Sequence, residues 1–310
     1  MSGAGPKEAP AGAPAAAGRD EGMTLGEHLD ELRGRLFKGV LAVLLCFVVA
    51  WIFRQQAYEV FMGPFEKGVG MLREDWLAVI EDRLAEDPEL ARTEFFLTDD
   101  PEDLRLLPKY AVEERPLITA VGEAFLTKLK ISLYFALFAG GPYLLWQLWA
   151  FIAAGLYRHE RRVVMSYFPA SLSLFFAGVL FGYLVLVPYG MYYLSGELRP
   201  DQGWIGFKLD TYFTFISSLC LALGAVFQLP IILTALARVG LVAPRTFAHY
   251  RGHFALSSFV IAAILTPPDP ITQSMMAGPM ILLYEVGIWS ARLVAPKPII
   301  PDSELEASAG

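Results

Sequence analysis

Two carboxylates keep unusual company in this chain. Glu160 stands among Arg158, His159, Arg161 and Arg162 in LYRHERR, residues 156–162, and Glu31 stands beside Arg33 and Arg35 in HLDELRGRL, residues 28–36. An ionised carboxylate accepts two parallel hydrogen bonds from an arginine's planar fork, so a surface carrying two such acids suits a dibasic ligand. Each acid also has a local use. Glu31 and Arg35 lie one helical turn apart, and an exposed pair of that kind stabilises a helix by only about 0.3 kcal/mol. Glu160 can equally neutralise Arg161 or Arg162 within its own loop.

Whether the two acids share a face depends on the elements that carry them. The chain has 310 residues, 55% hydrophobic and 18% charged. That is too apolar for a soluble domain of this size, and it predicts an all-α integral membrane protein. A crossing needs about 20 apolar residues. Charge-poor runs cover 39–53, 131–156, 163–196, 211–237 and 254–291. The last run breaks at TPPDP, residues 266–270, because three prolines cannot continue a helix, so six spans are expected, the last two short. The piece 254–265 measures about 18 Å as a helix, less than an unperturbed bilayer. Pro169 and Pro188 should kink or end the long run 163–196, leaving an outer cap beyond.

Basic residues flank every segment on one side: Arg33, Arg35 and Lys38, then Arg158, Arg161 and Arg162, then Arg238, Arg245 and Arg251, then Arg292 and Lys297. The opposite loop at 66–116 has seven basic residues against fifteen acids. The positive-inside rule therefore puts both termini in the cytoplasm, and Glu31 and Glu160 on one cytoplasmic face. The net charge of −7 mostly reflects that acidic outer loop and gives no sign of nucleic-acid binding. Residues 1–22 and 296–310 read as disordered tails around a membrane domain spanning 23–295. The first apolar run lies too far from Met1 for an ordinary cleaved signal peptide.

Thr24 and Glu27 have capping-box spacing, and Leu25, Leu29, Leu32 and Leu36 form one stripe, which predicts a helix along the inner surface before the first span. Leu72, Trp76, Ile80 and Leu84 predict an amphipathic helix that caps the outer surface within 66–116. Cys46 and Cys220 lie in apolar runs, the usual place of small buried thiols.

Enzymatic classes find little support. HERRV at 159–163 has Val163 where a zinc-binding HExxH needs histidine, and neither a GxSxG elbow nor a phosphate loop is present. His249 and His253 are one turn apart but lack a third ligand, so no metal or cofactor is implied. A secondary transporter of a small solute is the stronger alternative, because Glu285 and Gln228 lie in apolar spans. Against it, the two halves show no internal repeat.

HLDELRGRL at 28–36, LLWQLWAFIAAGLYRHERR at 144–162, FQLP at 227–230 and LTPPD at 265–269 resemble, in order and spacing, the TatC family, the receptor subunit of the twin-arginine protein translocase. The resemblance covers about 23–295 except most of the loop 66–116. It implies a non-enzymatic receptor that binds twin-arginine signal peptides of folded cargo. It also implies assembly with single-span partners of the TatA and TatB type, in oligomeric complexes driven by the proton-motive force across the bacterial cytoplasmic membrane. Glu31, Glu160, Arg33, Arg161 and Arg162 match the family's signal-peptide site, and Gln228, Phe151 and Pro64 match positions linked to partner helices. Gln147, Trp149, Asp269 and Glu285 match other recurrent family residues, Glu285 with Arg292 as its expected partner. Gln228 departs from the glutamate frequent in the family, keeping hydrogen bonding while losing ionisation. Its distance from Arg238, about 15 Å along a helix, predicts a place near mid-membrane.

Overall fold

The structure is a computed structural model that describes residues 25–86, 116–120, 122–156, 158–196, 207–266 and 269–295. Helix α1, Leu25–Ile52, is one uninterrupted rod of 28 residues. The expected surface helix and first span are thus the same helix, because no proline intervenes to stop it. At 1.5 Å per residue it is about 42 Å long, more than a bilayer core needs, so its charged start projects beyond the membrane. Thr24, the expected cap, lies outside the described residues.

Helix α2, Arg54–Glu86, follows after a single residue and runs through Pro64 without ending. The segment expected as a local outer cap is therefore the continuation of a core helix. Phe61, Phe65, Leu72 and Trp76 recur at helical spacing on its face and are all buried in the main core. Phe65 meets Tyr212 edge-on at 5.1 Å and Phe207 at 5.4 Å.

Helix α3, Glu123–Ala154, packs antiparallel to α1 along its length. Gly39 lies against Leu144, and Gly140 against Val43 and Cys46, so small residues let the two helices approach. Much of the rest of α1 is apolar and exposed, including Leu45, Val48 and Val49, as a lipid-facing helix requires.

Helix α4, Arg158–Met165, leads into α5, Phe168–Phe181, a π-helical turn at Gly182–Leu186, and α6, Val187–Gly196. Pro169 starts α5. Pro188 does not separate a cap from a span; the π turn absorbs it and the helix continues to Gly196. Proline has no N–H for the carbonyl of Leu184, four residues earlier, and Lys67 Nζ donates to that oxygen instead at 3.4 Å.

Helices α7, Leu209–Val226, and α8, Leu229–Arg238, form one crossing interrupted at Phe227 and Gln228, where Pro230 starts the second piece. The short α9, Pro244–His249, leads to α10, Arg251–Leu265, and α11, Pro270–Val294. Gly26–Ile52, Glu123–Ala154, Glu160–Gly196 and Leu209–Arg238 are long and apolar enough to cross a membrane. Helix α10 has only 15 residues. Helix α11 has 25, although its charge-free part ends before Glu285.

On the outer side, Glu123 collects the amides of Thr119 at 2.7 Å, Ala120 at 3.0 Å and Asp210 at 3.4 Å. Beside it, Leu117 and Lys208 form an isolated bridge and Lys130 pairs with Asp210 at 2.5 Å. These contacts tie the start of α3 to the start of α7.

Candidate functional site at the inner surface

Two ring contacts fix which residues meet at the inner surface. Trp51 lies 5.8 Å from Phe125 at one end of the α1/α3 pair, and His28 stacks on Phe151 at 4.3 Å at the other. Gly155, just beyond α3, has no Cβ because one would lie 3.1 Å from His28 Cε1. The start of α1 thus touches the end of α3, and α4 begins three residues after Gly155. Glu31 is on the turn following His28, and Glu160 is in the first turn of α4. Both acids therefore belong to the same end of the molecule, with Arg33, Arg161 and Arg162 exposed around them.

Glu31 makes the local ion pair that its spacing allowed, from its Oε1 to Arg35 Nη2. Its side chain is still 35% exposed, and a carboxylate has about four acceptor sites, so capacity remains for a second cation. Arg35 is the more enclosed partner and also reaches across to α3, donating to Gln147 Oε1 at 3.5 Å. Gln147, which is buried, thus braces the helix bearing Glu31.

Helix α4 is strongly amphipathic: Val164 is buried while Arg161 and Arg162 face out. Val164 packs with Trp149 and Ala235, which seats α4 on α3 and α8. Half-buried Glu160 lies at the helix N-terminus, where the unpaired amides favour negative charge.

Beneath this surface lies a polar network without local sequence signature. Trp149 Nε1 donates to Ser171 Oγ at 2.8 Å, and the Ser171 hydroxyl donates to Gln228 Oε1. Gln228 Nε2 donates to the carbonyls of Ser171 at 3.1 Å and Gly224 at 3.4 Å. All three side chains are buried, Gln228 to 4% exposure. The Gln228 amide is thus engaged within the chain, where it joins α5 to the α7/α8 break.

Pro64 and Phe151 do not join Gln228 either. Pro64 is buried inside α2, and Phe151 is half-buried against His28. Asp269 caps α11, accepting from Ile271 N at 3.0 Å and Thr272 N at 2.7 Å. Glu285 pairs with Arg251 rather than Arg292: Arg251 Nε reaches Glu285 Oε1 at 2.8 Å and Nη2 reaches Oε2 at 2.8 Å, a two-pronged bond from α10 to α11. Arg292 is the cation on Glu285's own helix, whereas the hairpin brings Arg251 at the start of α10 beside it. His28 and Ser171 were missed as well, since their roles exist only through residues far along the chain.

The fold recurs in known proteins. A family profile described as Sec-independent protein translocase protein (TatC) matches residues 27–279. The chain is 35% identical to the Sec-independent protein translocase protein TatC of Halothiobacillus neapolitanus over 280 residues, 90% of this chain and 65% of that relative. It is 31% identical over 299 residues to the protein of that name from Desulforapulum autotrophicum, covering 94% of this chain and 91% of that one. A crystal structure of the twin-arginine translocase receptor TatC superposes with a TM-score of 0.65 at 30% identity, over 86% of this chain and 99% of that one. The chain belongs to the TatC family of Sec-independent protein translocase proteins, with a six-span all-α membrane fold.

Proposed function

We propose that this chain binds the consecutive arginines of twin-arginine signal peptides with Glu31 and Glu160. What supports the reading is that these two acids, on α1 and α4, belong to the same end of the molecule, where Arg33, Arg161 and Arg162 are exposed. The acids accept guanidinium groups of the guest, while the surrounding arginines hold the surface at the cytoplasmic side and orient α4. Gln147 and Trp149 act as positioning residues, the first through Arg35 and the second through Val164.

In this reading the protein is a non-enzymatic platform in the bacterial cytoplasmic membrane. It gathers TatA- and TatB-type single-span subunits, and further copies of itself, for export of folded cargo driven by the proton-motive force. Partner helices dock on its lipid-facing surfaces, and they reach Gln228 only if the Trp149–Ser171–Gln228 network opens.

Site-specific photocrosslinking from position 161 of α4 tests the reading. A peptide with twin arginines should crosslink, and the same peptide with twin lysines should do so far less, because a lysine cannot make the forked contact. Equal yields from both peptides would show that the surface reads charge alone, and no yield from either would remove the peptide from this site.

A further inference from the structure

We infer that the outer end of the α1/α3 pair holds the headgroup of an anionic phospholipid between Arg54 and Lys128. A cavity of about 390 Å³ opens there, lined by Trp51, Arg54, Ala124, Phe125 and Lys128. A second cavity of about 290 Å³ shares Ala124 and Lys128 with it and extends to Gln55, Tyr58 and Thr127.

The charge at this place needs a reason. Topology disfavours unneutralised cations on the outer side, and the neighbouring ones are neutralised: Lys130 has Asp210 at 2.5 Å. Arg54 and Lys128 are not. Arg54 stacks over the Trp51 ring at 5.2 Å and donates from Nη1 to the Trp51 carbonyl at 3.1 Å, leaving the rest of its fork unused among the described residues. The Lys128 ammonium makes no ion pair or hydrogen bond among the described residues. The nearby acids are committed elsewhere, Glu123 to backbone amides and Glu59 to Gln55 at 3.5 Å.

A second observation points to a ligand with polar groups beyond its phosphate. Thr127 is 1% exposed, its Oγ1 finds no partner, and it lines the cavity shared with Lys128. A headgroup bearing hydroxyls, such as a glycerol, supplies that partner while its phosphate bridges the two cations. The surroundings select a lipid over a free anion. Ile118 and Phe125 line the cavities and are each more than half exposed, where acyl chains cover them. Trp51 and Phe125 take the interfacial place that aromatic rings favour.

The test is native mass spectrometry and thermal unfolding of the purified full-length protein, delipidated in detergent. Phosphatidylglycerol, phosphatidylcholine and inorganic phosphate are titrated separately. Phosphatidylglycerol should bind roughly tenfold more tightly than phosphatidylcholine and raise the unfolding midpoint, since each basic group near a membrane surface adds a several-fold preference. The R54Q/K128Q double variant should lose that preference, and each single variant should lose part of it. K67Q, which removes an outer cation remote from the cavity, should retain it. Equal affinity for both lipids, or a preference that survives R54Q/K128Q, overturns the proposal. Displacement of phosphatidylglycerol by millimolar inorganic phosphate would overturn the lipid as ligand and leave an anion site.

Discussion

Replacing Gln228 by leucine separates the two accounts of this residue. The substitution keeps the volume nearly constant but removes one acceptor and two donors from a buried network. The Ser171 hydroxyl then loses its acceptor, while its oxygen still receives Trp149 Nε1 at 2.8 Å. An orphaned buried group costs about 1–3 kcal/mol, whereas hydrogen bonds between membrane helices average nearer 0.6 kcal/mol. With three groups each losing a partner, at roughly 0.6 kcal/mol apiece, a loss of about 2 kcal/mol follows. Because Trp149 also packs on Val164, the loss should reach α4 and weaken signal-peptide binding together with stability. The assay is reversible unfolding in mixed detergent, with Ser171→Ala, Gln228→Leu and the double variant closing a cycle. A coupling of roughly 1 kcal/mol is expected for side chains in direct contact. Gln228→Glu should be milder, since a neutral carboxyl still offers a donor and an acceptor. If Gln228→Leu leaves stability and peptide binding untouched and impairs only partner recruitment, the network has been given the wrong role and the residue meets its partner directly.

Other consequences follow from individual contacts. A Cβ at Gly178 would lie 2.6 Å from the Leu223 carbonyl, so Gly178→Ala must push α5 off α7. It should cost about 1–3 kcal/mol in the same unfolding assay. Asp269→Ala removes the cap of α11 and should cost about 1 kcal/mol, with Asp269→Asn close to the parent. A cysteine introduced at position 90 should react with an impermeant reagent applied from outside, while one at 158 or 300 should not; the opposite pattern reverses the topology.

The hydrophobic pattern made the spans legible because a bilayer imposes length and charge rules that act on each segment separately. The break at residues 266–270 and the inner position of both acids follow from those rules. Packing between segments obeys no local rule, and there the reading fell short. Leu72 and Trp76 look like one face of any amphipathic helix, and only the unbroken run of α2 back through Phe65 shows that this face enters the core. Glu285 was matched with Arg292 because an i,i+7 neighbour is visible in sequence, whereas Arg251 is adjacent only once α10 folds back on α11. Gln228 was read correctly as a polar group inside a span, but the network that engages it depends on Ser171, a residue with no distinguishing neighbours. The Glu31–Arg35 pair was foreseen, and its anchor on Gln147 was not.

The central claim is that Glu160 receives a guest arginine, and it is met most directly by the affinity of purified Glu160→Lys protein for a twin-arginine signal peptide. A charge-assisted bond contributes about 1.5–3 kcal/mol where it is well formed. Its loss corresponds to a tenfold or greater weakening, and the introduced ammonium adds repulsion, so Glu160→Lys should bind more weakly than Glu160→Gln, with Glu31→Ala similarly impaired. The unfolding midpoint should change little, because Glu160 is only half-buried. Parent-like affinity in the Glu160→Lys protein contradicts the account and leaves Glu160 as a counter-charge within its own basic helix.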